Sequence, residues 1–448
     1  MTSGKPGALI FSFALPLMIG NLFQQFYTIA DAMIVGQVLG VQALAAVGCT
    51  EWTIWMMLGM IQGFTQGFSI WMAQEFGADR PKQLRHVVVN AVFLSVVAAV
   101  LMLTLGQLGA NSILHILHTN DAVFPTAIRY MRVMFWGIPV MMAFNLFAAI
   151  LRALGDGKTP LRAMIFAALT NIGLDLLFVA VLGFGVSSAA VATIIAQLFA
   201  SVFCLTKILK IDILKIARED LVLRRKSCFH LLALGFPMAF QNLVISIGGM
   251  IVQSVVNGFG VIFIAGFTAT NKLYGLLEVA ATSYGFAMTT YTGQNYGAGE
   301  MGRIRQGYRV SMGISIITSV IIMMVMIFAG RAILSCFISG DAKTVEDTLA
   351  VAYHYLFIMS IGLPILYYLH VTRSCIQGMG NTVLPMVSGI SEFAMRTGAA
   401  LLLPRVLGQG GIFYAEILAW AGADVVLVLS FIYCTRKLGI VKRVSQKS

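Results

Sequence analysis

Apolar residues run along this chain in twelve long stretches, which charged or turn-rich breaks separate. Each stretch has about 20 residues or more, the length that an α-helix needs to cross a bilayer, and lacks the roughly ten-residue alternation of membrane β-strands. Because only helices and closed barrels satisfy their backbone in lipid, the pattern predicts an all-α membrane protein with twelve transmembrane helices. The predicted segments are 8–35, 43–73, 87–108, 123–151, 161–182, 186–206, 229–257, 262–291, 307–330, 347–373, 384–404 and 411–434.

The composition agrees with this fold class. Of the 448 residues, 59% are hydrophobic and only 11% are charged, and the mean hydropathy is +0.88. A soluble domain of this length needs far fewer apolar residues, so the composition excludes a soluble globular protein. The first apolar run is too long for the core of a signal peptide, and we expect the chain to insert through its first helix.

The net charge of +12 comes mainly from one set of loops. If the N-terminus is cytoplasmic, the loops on that side and the two termini hold 23 of the 30 Lys and Arg residues, with Arg373 counted in a turn. The opposite loops hold five, namely Arg129, Arg132, Arg331, Lys343 and Arg405. This positive-inside distribution predicts a multi-pass protein of the cell (inner) membrane with both termini in the cytoplasm. It also indicates membrane lipids, and not nucleic acid, as the partner of the basic residues.

The two halves of the chain repeat each other. The segment "AQEFGADRPKQLR" at 73–85 aligns with "GQNYGAGEMGRIR" at 293–305, and "LPLMIGN" at 15–21 aligns with "FPMAFQN" at 236–242. Since each unit has six helices, an even number, both units insert with the same orientation, and we predict two parallel-repeat six-helix lobes. Two such lobes suit alternating access around a site at the membrane midplane.

The repeat sets the predicted domain boundaries. We place an N-terminal six-helix lobe at 1–206, a C-terminal six-helix lobe at 229–436 and a cytoplasmic basic tail at 437–448. Residues 207–228 form the predicted cytoplasmic linker. Because this linker is basic and amphipathic, the pattern predicts a helix on the cytoplasmic surface.

Ionisable residues inside the apolar helices are few, and each costs about 2.5 to 3.5 kcal/mol at a helix centre on insertion scales. The stretch "FYTIADAMIVG" places Asp31 inside segment one, and "NIGLD" places Asn171 and Asp175 four residues apart on one face of segment five. Their oxygen atoms suit a small hard cation, or a proton shared between the two acids. The alternative is a buried, hydrogen-bonded cluster with only a packing role.

The second half is an internal control for these polar residues. The repeat alignment pairs Asp31 with Val252, Asn171 with Arg396, Asp175 with Ala400, and Thr193 of segment six with Leu418. Glycines and turns are duplicated between the halves, whereas the polar set is not. If the set only held a six-helix unit together, the second unit would need it too, so we expect a role beyond packing.

The second half has intramembrane charges of its own. Glu392 and Arg396 are four residues apart on segment eleven, and we expect a structural ion pair between them rather than a transport role. Glu278 in segment eight has no partner four residues away, and its repeat mate is Leu58. Glu278 is therefore the second-half candidate for a proton or substrate contact.

Two prolines and one glycine-rich turn complete the set of candidate features. Pro16 and Pro237 lie inside apolar helices, where each removes a backbone hydrogen bond and favours a kink that serves either gating or static packing. The turn "GDGKTP" at 155–160 resembles the end of a phosphate loop, but Arg152 stands where that motif needs a glycine. We interpret it as a tight turn and do not expect ATP as the energy source.

Several of these motifs together resemble one known family. The stretches "ADAMIVG", "GFTQGFSIWMAQEFGA", "RALGDGKTP" and "NIGLDLLFV", with "LP" near the start of segment one, are similar to motifs of the multidrug and toxic compound extrusion (MATE) family of secondary transporters. The likeness extends over essentially the whole chain. Each motif is weak alone, and the ordered set is fairly specific.

The resemblance implies a V-shaped pair of six-helix lobes around a central cavity, which exports organic cations or other amphipathic compounds in exchange for Na⁺ or H⁺. Some family members bind the cation in their first lobe. The positions of this chain that match that cation site are Asp31, Asn171, Asp175 and Thr193. Segment seven has no acid, and in this respect the chain resembles the DinF-like branch more than the NorM-like branch.

The resemblance also implies substrate contacts. Gln24, Tyr27 and Asn145 match polar positions that line the first lobe, and with Glu278 they are the residues we expect in the substrate cavity.

The sequence thus predicts a cation-coupled antiporter for a small-molecule substrate. We expect no enzymatic activity, no cofactor besides the coupling ion, and a monomer. The alternative is a flippase or exporter of a lipid-linked or other polar metabolite. That function predicts a strongly basic cavity, whereas the basic residues counted within the segments are only Lys272 and Arg396. A receptor is disfavoured because the sequence shows no soluble sensory or output domain, and a channel would show large uncoupled currents.

Overall fold

The computed structural model of the protein describes residues 1–117, 119–336, 338 and 342–445, and describes no side chain at Val41 or at 438–445. In this part of the chain, thirteen α-helices contain most residues and no strand occurs, which confirms the all-α class. The helices are α1 (Pro6–Leu39), α2 (Val41–Gly77), α3 (Pro81–Ile116), α4 (Phe124–Trp136), α5 (Ile138–Ala153), α6 (Lys158–Asp175), α7 (Ser187–Ile208), α8 (Arg225–Asn257), α9 (Val261–Gly297), α10 (Met301–Ser335), α11 (Ala342–Gly378), α12 (Val383–Leu407) and α13 (Ala415–Ser445).

The helices cover the twelve predicted apolar segments, with three local irregularities. Segment twelve begins in a 3₁₀ helix, Gln409–Tyr414, that leads directly into α13. Segment four is broken at Gly137 into α4 and α5, which are bent by 45°. Pro139 is the second residue of α5 and has no backbone N–H to continue the helix from α4, which accounts for the break. Segment five continues from α6 into a π-helical turn, Leu176–Val181, directly after Asp175.

Nine helices of the described chain are long and apolar enough to cross a membrane, and the bent α4–α5 pair makes ten spans. The long helices α9 and α12 cover the two remaining predicted segments, and each contains charged residues, Lys272 and Glu278 in α9 and Glu392, Arg396 and Arg405 in α12. α2 and α9 each have 37 residues, and both of their ends lie 220 residues apart. This match confirms the alignment of these two helices in the internal repeat.

The described chain divides into two compact units. The first unit comprises Leu15–Ala239 with Gly297–Gly299, and so holds α2 to α7 together with most of α1 and the start of α8. The second unit comprises Met1–Ala14, Phe240–Tyr296 and the chain from Glu300 onward. Of the predicted cytoplasmic tail, residues 446–448 lie outside the described residues.

The two prolines of interest lie where α1 and α8 change units. α1 leaves the second unit after Ala14, two residues before Pro16, and α8 leaves the first unit after Ala239, two residues after Pro237. Both prolines lie inside continuous helices, as the sequence predicted. Each helix therefore lacks one backbone hydrogen bond close to the point at which it passes from one unit to the other.

Small residues bring α2 and the start of α8 into close contact within the first unit. A Cβ atom added at Gly63 would overlap the backbone of Ala239, and one added at Gly67 would overlap the backbone of Gly235. Both helices have their small residues four positions apart, the spacing that lets two helix backbones approach in a membrane. Larger side chains at these positions would push the helices apart.

The linker between α7 and α8 is not the predicted surface helix. α7 ends at Ile208 and α8 begins at Arg225, with two short 3₁₀ turns, Asp212–Leu214 and Arg218–Asp220, between them. Contacts with α3 and with the core override the amphipathic pattern, because Asp220 pairs with Arg85 and Leu214 is buried. The prediction of a helix there was wrong.

Candidate functional site

The first unit brings three of the predicted cation-binding residues together on two helices. Asn171 and Asp175 project from one face of α6 and are almost fully buried, with 1% and 0% of their surface exposed. The Asn171 side-chain Nδ2 donates to Thr193 Oγ1 on α7 at 3.2 Å. The Thr193 hydroxyl in turn donates to the carbonyl oxygen of Ala189 in its own helix at 3.1 Å.

Asp31 of α1 completes this set. Its carboxyl group lies close enough to that of Asp175 for the two groups to interact directly. Two carboxylates this close repel each other, so the loss of both protons is costly unless a cation lies close by. The Asp31–Asp175 acid pair therefore favours the binding of a proton or a small cation.

Several oxygen atoms of the set have no hydrogen-bond partner among the described residues. They are Asp31 Oδ1, Asn171 Oδ1 and both carboxylate oxygens of Asp175. A buried acceptor without a partner costs about 1 to 3 kcal/mol, and more if it is charged. Native proteins satisfy most such atoms, so four in one set make this cluster a candidate binding site. A cluster with only a packing role would leave few of them open.

The backbone at Asp175 is also irregular. This residue ends α6, and the π-helical turn Leu176–Val181 follows it immediately. π-helical turns are rare and occur frequently at functional sites, where they alter the direction of a side chain. The turn shifts the helix register between Asp175 and the remainder of segment five.

Gln197 belongs to this region and was missed in the sequence. It lies four residues after Thr193 on the same face of α7, is 8% exposed, and has a buried Oε1 without a partner in the described structure. Its side chain contacts that of Tyr27, which also contacts Gln24. The spacing from Thr193 was the signal that could have identified it.

Tyr130 of α4 was missed as well. Its side chain is buried, with 5% exposed, and lies close enough to interact with the charges of both Asp31 and Asp175. No sequence signal pointed to Tyr130, because the nearby Arg129 and Arg132 indicated an outer loop. The phenol places a further polar group in the neighbourhood of the acid pair.

The remaining first-unit candidate, Asn145, bonds within its own helix. Its Nδ2 donates to the carbonyl oxygen of Met141 in α5 at 2.9 Å. This bond orients the amide along α5. A substrate contact by Asn145 stays a prediction.

The second unit contains a buried chain of alternating charges. Glu392 and Arg396 pair at 3.0 Å, which confirms the predicted ion pair. Arg396 also pairs with Glu416 of α13 at 2.7 Å, and Glu392 pairs with Arg373 of α11 at 2.7 Å. The order Glu416–Arg396–Glu392–Arg373 links three helices through two acids and two bases.

Arg373 corrects an expectation from the sequence. It is not in a cytoplasmic turn but inside α11, which continues to Gly378, and it is 8% exposed. Its ion pair with Glu392 offsets the cost of burying it. Arg373 is therefore a basic residue of the predicted segments in addition to Lys272 and Arg396.

The charged groups of this chain have further hydrogen-bond partners. Arg396 Nη1 donates to the carbonyl oxygen of Ile245 at 3.3 Å, and Arg373 Nη2 donates to Ser388 Oγ at 3.4 Å. With its amide oxygen turned toward Arg373, Gln241 accepts a hydrogen bond from Nε at 2.9 Å. Equal numbers of acids and bases with saturated donors indicate a structural network rather than an open site.

Glu278 has a partner that the sequence did not reveal. His370 Nε2 on α11 lies 3.5 Å from Glu278 Oε1 on α9. About a third of the Glu278 side chain, 35%, is exposed, against 17% for His370. Both belong to the second unit, whereas the acid pair belongs to the first.

The donor set of the acid pair is of one chemical type. It offers carboxylate, amide and hydroxyl oxygens, which suit hard cations rather than soft metals. Among the described residues, no group of three or more His, Cys, Asp and Glu side chains could hold a metal ion. The oxygen donors of the set therefore suit a hard cation or a proton better than a soft transition metal.

Comparison with known proteins identifies the family. The MatE family model matches residues 16–177 and 237–399, once in each half and over well over half of the chain. The chain belongs to the MatE family. MatE proteins are multi-span membrane transporters, which agrees with the apolar helices described above.

Relatives of this MatE chain match over most of its length. "Probable multidrug resistance protein YpnP" of Bacillus subtilis (strain 168) is 28% identical over 412 residues, covering 92% of this chain and 91% of the relative. The "FAD transporter" of Shewanella oneidensis is 23% identical over 351 residues, 77% of each protein. A crystal structure of a MATE protein in complex with MaL6 has a TM-score of 0.89 at 22% identity and 98% coverage of both chains, which shows the same fold.

Proposed function

We propose that this MatE protein is a secondary active transporter, a cation-coupled antiporter that exports drugs or other organic, often cationic, amphipathic compounds in exchange for Na⁺ or H⁺. The observation that carries the proposal is the Asp31–Asp175 pair and its open oxygen atoms. These oxygens are buried, clustered and absent from the repeat mate positions. Such a site is what an ion-coupled transporter needs and a packing cluster does not.

The donor set supports a small cation as the coupling ion. The carboxylates of Asp31 and Asp175 would neutralise its charge, and the Asn171 amide oxygen and Thr193 hydroxyl would complete its shell. Thr193 can serve in this way because its hydroxyl donates to Ala189 and the bond from Asn171 uses one lone pair of Oγ1, which leaves the other lone pair for the ion. A proton shared by the two acids uses the same geometry with fewer ligands.

Coupling follows from the charge state of the pair. With the ion or proton present, Asp31 and Asp175 no longer repel, so α1 and α6 stay together at this point. When it leaves, the repulsion returns and acts on α1, which lacks a backbone bond at Pro16. One cation that moves down a potential of 100 mV releases about 2.3 kcal/mol, enough for a roughly 50-fold gradient of a neutral substrate.

The proposed substrate contacts are Gln24, Tyr27, Asn145 and Glu278. Tyr27 lies one helical turn from Asp31 and contacts Gln24, so a substrate there would respond to the charge of the acid pair. Pro16 and Pro237 are proposed as gating positions because they lie at the points where their helices change units. Each of these roles can be tested by substitution of the residue.

The remaining parts of the proposal concern the setting of the protein. We propose a monomer in the cell (inner) membrane with both termini cytoplasmic, surrounded by lipid, with no enzymatic activity, no cofactor and no role for ATP or nucleic acid. Removing Arg373 from the predicted cytoplasmic loops leaves 22 Lys and Arg there against five on the opposite side. The positive-inside bias that supports this orientation is therefore unchanged.

A second candidate function is export or flipping of a polar, anionic metabolite. The similarity to an FAD transporter favours it, as does the burial of Arg373 within α11. Against it, Glu392 and Glu416 neutralise both buried arginines. The second unit thus offers little free positive charge for a pyrophosphate.

The decisive experiment is transport in proteoliposomes. We expect efflux of a cationic dye to depend on an inward Na⁺ or H⁺ gradient and to fall at least tenfold in Asp31→Asn. Asp212→Asn, a change at an exposed acid, serves as the matched control and should leave efflux unchanged. Undiminished gradient-driven efflux by Asp31→Asn would refute the coupling role, and transport of FAD without cationic dyes would favour the second candidate.

A further inference from the structure

The chain between α7 and α8, residues 209–224, forms a strap that is fixed to α3. Arg85 Nε donates to Asp220 Oδ2 at 2.6 Å, and the same carboxylate accepts the backbone N–H of Ala217 at 3.0 Å. Both interactions stabilise the charged carboxylate, and they hold the pKa of Asp220 below its ordinary value, the Ala217 hydrogen bond being the larger cause. The Asp220 clamp thus persists at neutral pH.

A buried amide fixes the end of the strap. Asn90 of α3, which is fully buried, donates to the carbonyl oxygen of Val222 at 3.4 Å and accepts the backbone N–H of Arg224 at 3.1 Å. Near the start of the strap, Leu214 is 6% exposed and packs in the hydrophobic core of the first unit. The inner face of the strap is therefore held at three points.

The outer face exposes apolar side chains that α3 does not cover. Leu221, Val222 and Leu223 are consecutive and are 62%, 48% and 50% exposed. Leu209 and Ile216 are exposed as well, at 68% and 47%. A loop in water rarely presents three apolar residues in a row, so this face favours an apolar neighbour.

Basic residues surround the apolar triplet. Three exposed bases follow it directly, namely Arg224, Arg225 and Lys226. Three more precede it, namely Lys210, Lys215 and Arg218. The exposed acids of the strap are Asp212, which pairs with Lys215 at 2.6 Å, and Glu219. The outer face thus has an excess of positive charge.

We propose that the strap is a docking surface for anionic phospholipids. α7 and α8 are both membrane spans, and the strap joins the end of one to the start of the other, which places it at the level of the lipid headgroups. The exposed triplet enters the interface and the surrounding bases bind lipid phosphates, the combination typical of surfaces that bind acidic membranes. Because the Asp220 clamp orders the strap in advance, docking needs little further loss of chain entropy.

The test is amide hydrogen exchange of residues 209–224 in the full-length protein, reconstituted in nanodiscs. We compare discs of phosphatidylcholine alone with discs that also contain phosphatidylglycerol. We expect exchange at least about threefold slower in the anionic discs, and recovery of the faster rate at high salt, where surface electrostatics are screened. Inorganic phosphate added to phosphatidylcholine discs should have no effect.

Two variants complete the test. The triple change Lys210→Gln, Lys215→Gln and Arg218→Gln leaves the Asp220 clamp intact and should abolish the response to anionic lipid. Arg80→Gln with Lys82→Gln, exposed bases at the start of α3, should keep it. Equal exchange in both kinds of disc would overturn the proposal, as would a full response in the triple variant or slowing by phosphate alone. None of these readouts depends on the transport function.

Discussion

Asp31 and Asp175 face each other across α1 and α6 in the interior of the first unit, and three of their four carboxylate oxygens are buried without a hydrogen-bond donor. The second unit arranges its buried acids in the opposite way. There Glu392 and Glu416 are both paired with arginines. The buried acids of the first unit thus face each other, whereas those of the second unit are paired with bases.

The first prediction concerns the stability of the acid pair. Asp31→Asn removes one of two repelling charges, so without Na⁺ and at alkaline pH we expect the variant to melt a few degrees above the wild type, equivalent to roughly 1 kcal/mol. Added Na⁺ or protons should raise the melting temperature of the wild type by mass action and leave the variant unchanged. Thermal unfolding in detergent, with choline replacing Na⁺, measures both effects.

The control for this prediction is Asp121→Asn. Asp121 is an exposed acid that is far from Asp31 and Asp175 in the sequence. It should keep the response to both ions. If Asp31→Asn still responded to Na⁺ and to protons like the wild type, the pair would not be the binding site.

The second prediction concerns Gln197, whose Oε1 is buried without a partner while its side chain contacts Tyr27. Gln197→Leu removes this open acceptor, so folding stability should stay within about 1 kcal/mol of the wild type or rise. We expect gradient-driven efflux to fall about tenfold, because the ion loses a polar neighbour of the acid pair. Ser201→Ala, one turn further along α7, is the matched control. Normal efflux by Gln197→Leu would show that the residue only packs.

The twelve segments could be predicted from the sequence because the length of an apolar run reports the thickness of the bilayer directly. The repeat alignment added the contrast that isolated Asp31 and Asp175. Both signals are local or periodic, and neither requires knowledge of which helices touch.

The features that the sequence did not reveal depend on contacts between distant positions. Arg373 looks like the end of a segment until its partner Glu392, 19 residues later on another helix, is known. The linker has a helical pattern, but it forms no long helix because Asp220 pairs with Arg85, 135 residues away in the chain. Gln197 is neutral, so it lacks the charge that distinguishes Asp31 and Asp175 within apolar helices.

The third prediction concerns the buried charge chain. Arg396→Met leaves Glu392 and Glu416 without their shared partner, and breaking a buried pair costs about 3 to 5 kcal/mol. We expect a correspondingly large loss of thermal stability in detergent. Arg331→Gln breaks the exposed pair with Glu346 and should cost less than about 1 kcal/mol. Similar small effects for both variants would contradict the buried network.

The fourth prediction concerns the contact between α2 and α8. Gly67→Leu places a side chain where the Gly235 backbone lies, so the helices must separate, and we expect a loss of about 3 kcal/mol or failure to fold. Gly313→Leu is the matched control, because a Cβ at that helical position meets nothing within 4 Å. It should be neutral or stabilising by up to about 1 kcal/mol. Detergent melting curves and the yield of monodisperse protein measure the difference, and equal tolerance of both changes would contradict the close approach.

The fifth prediction concerns the pH dependence of the Asp220 clamp. Because the folded-state pKa of Asp220 lies below its ordinary value of 3.8, the carboxylate stabilises the strap above that value and loses this effect as the pH falls through the folded pKa. At neutral pH, Asp220→Asn should therefore speed amide exchange and limited proteolysis within 209–224. Below about pH 4 the wild type should approach the behaviour of the variant. Asp212→Asn, whose acid lies exposed on the same strap, should leave the proteolysis rate unchanged at neutral pH. A wild-type strap that stays equally protected from neutral to strongly acidic pH would show that the buried amide of Asn90 and the Leu214 contact hold it without the carboxylate.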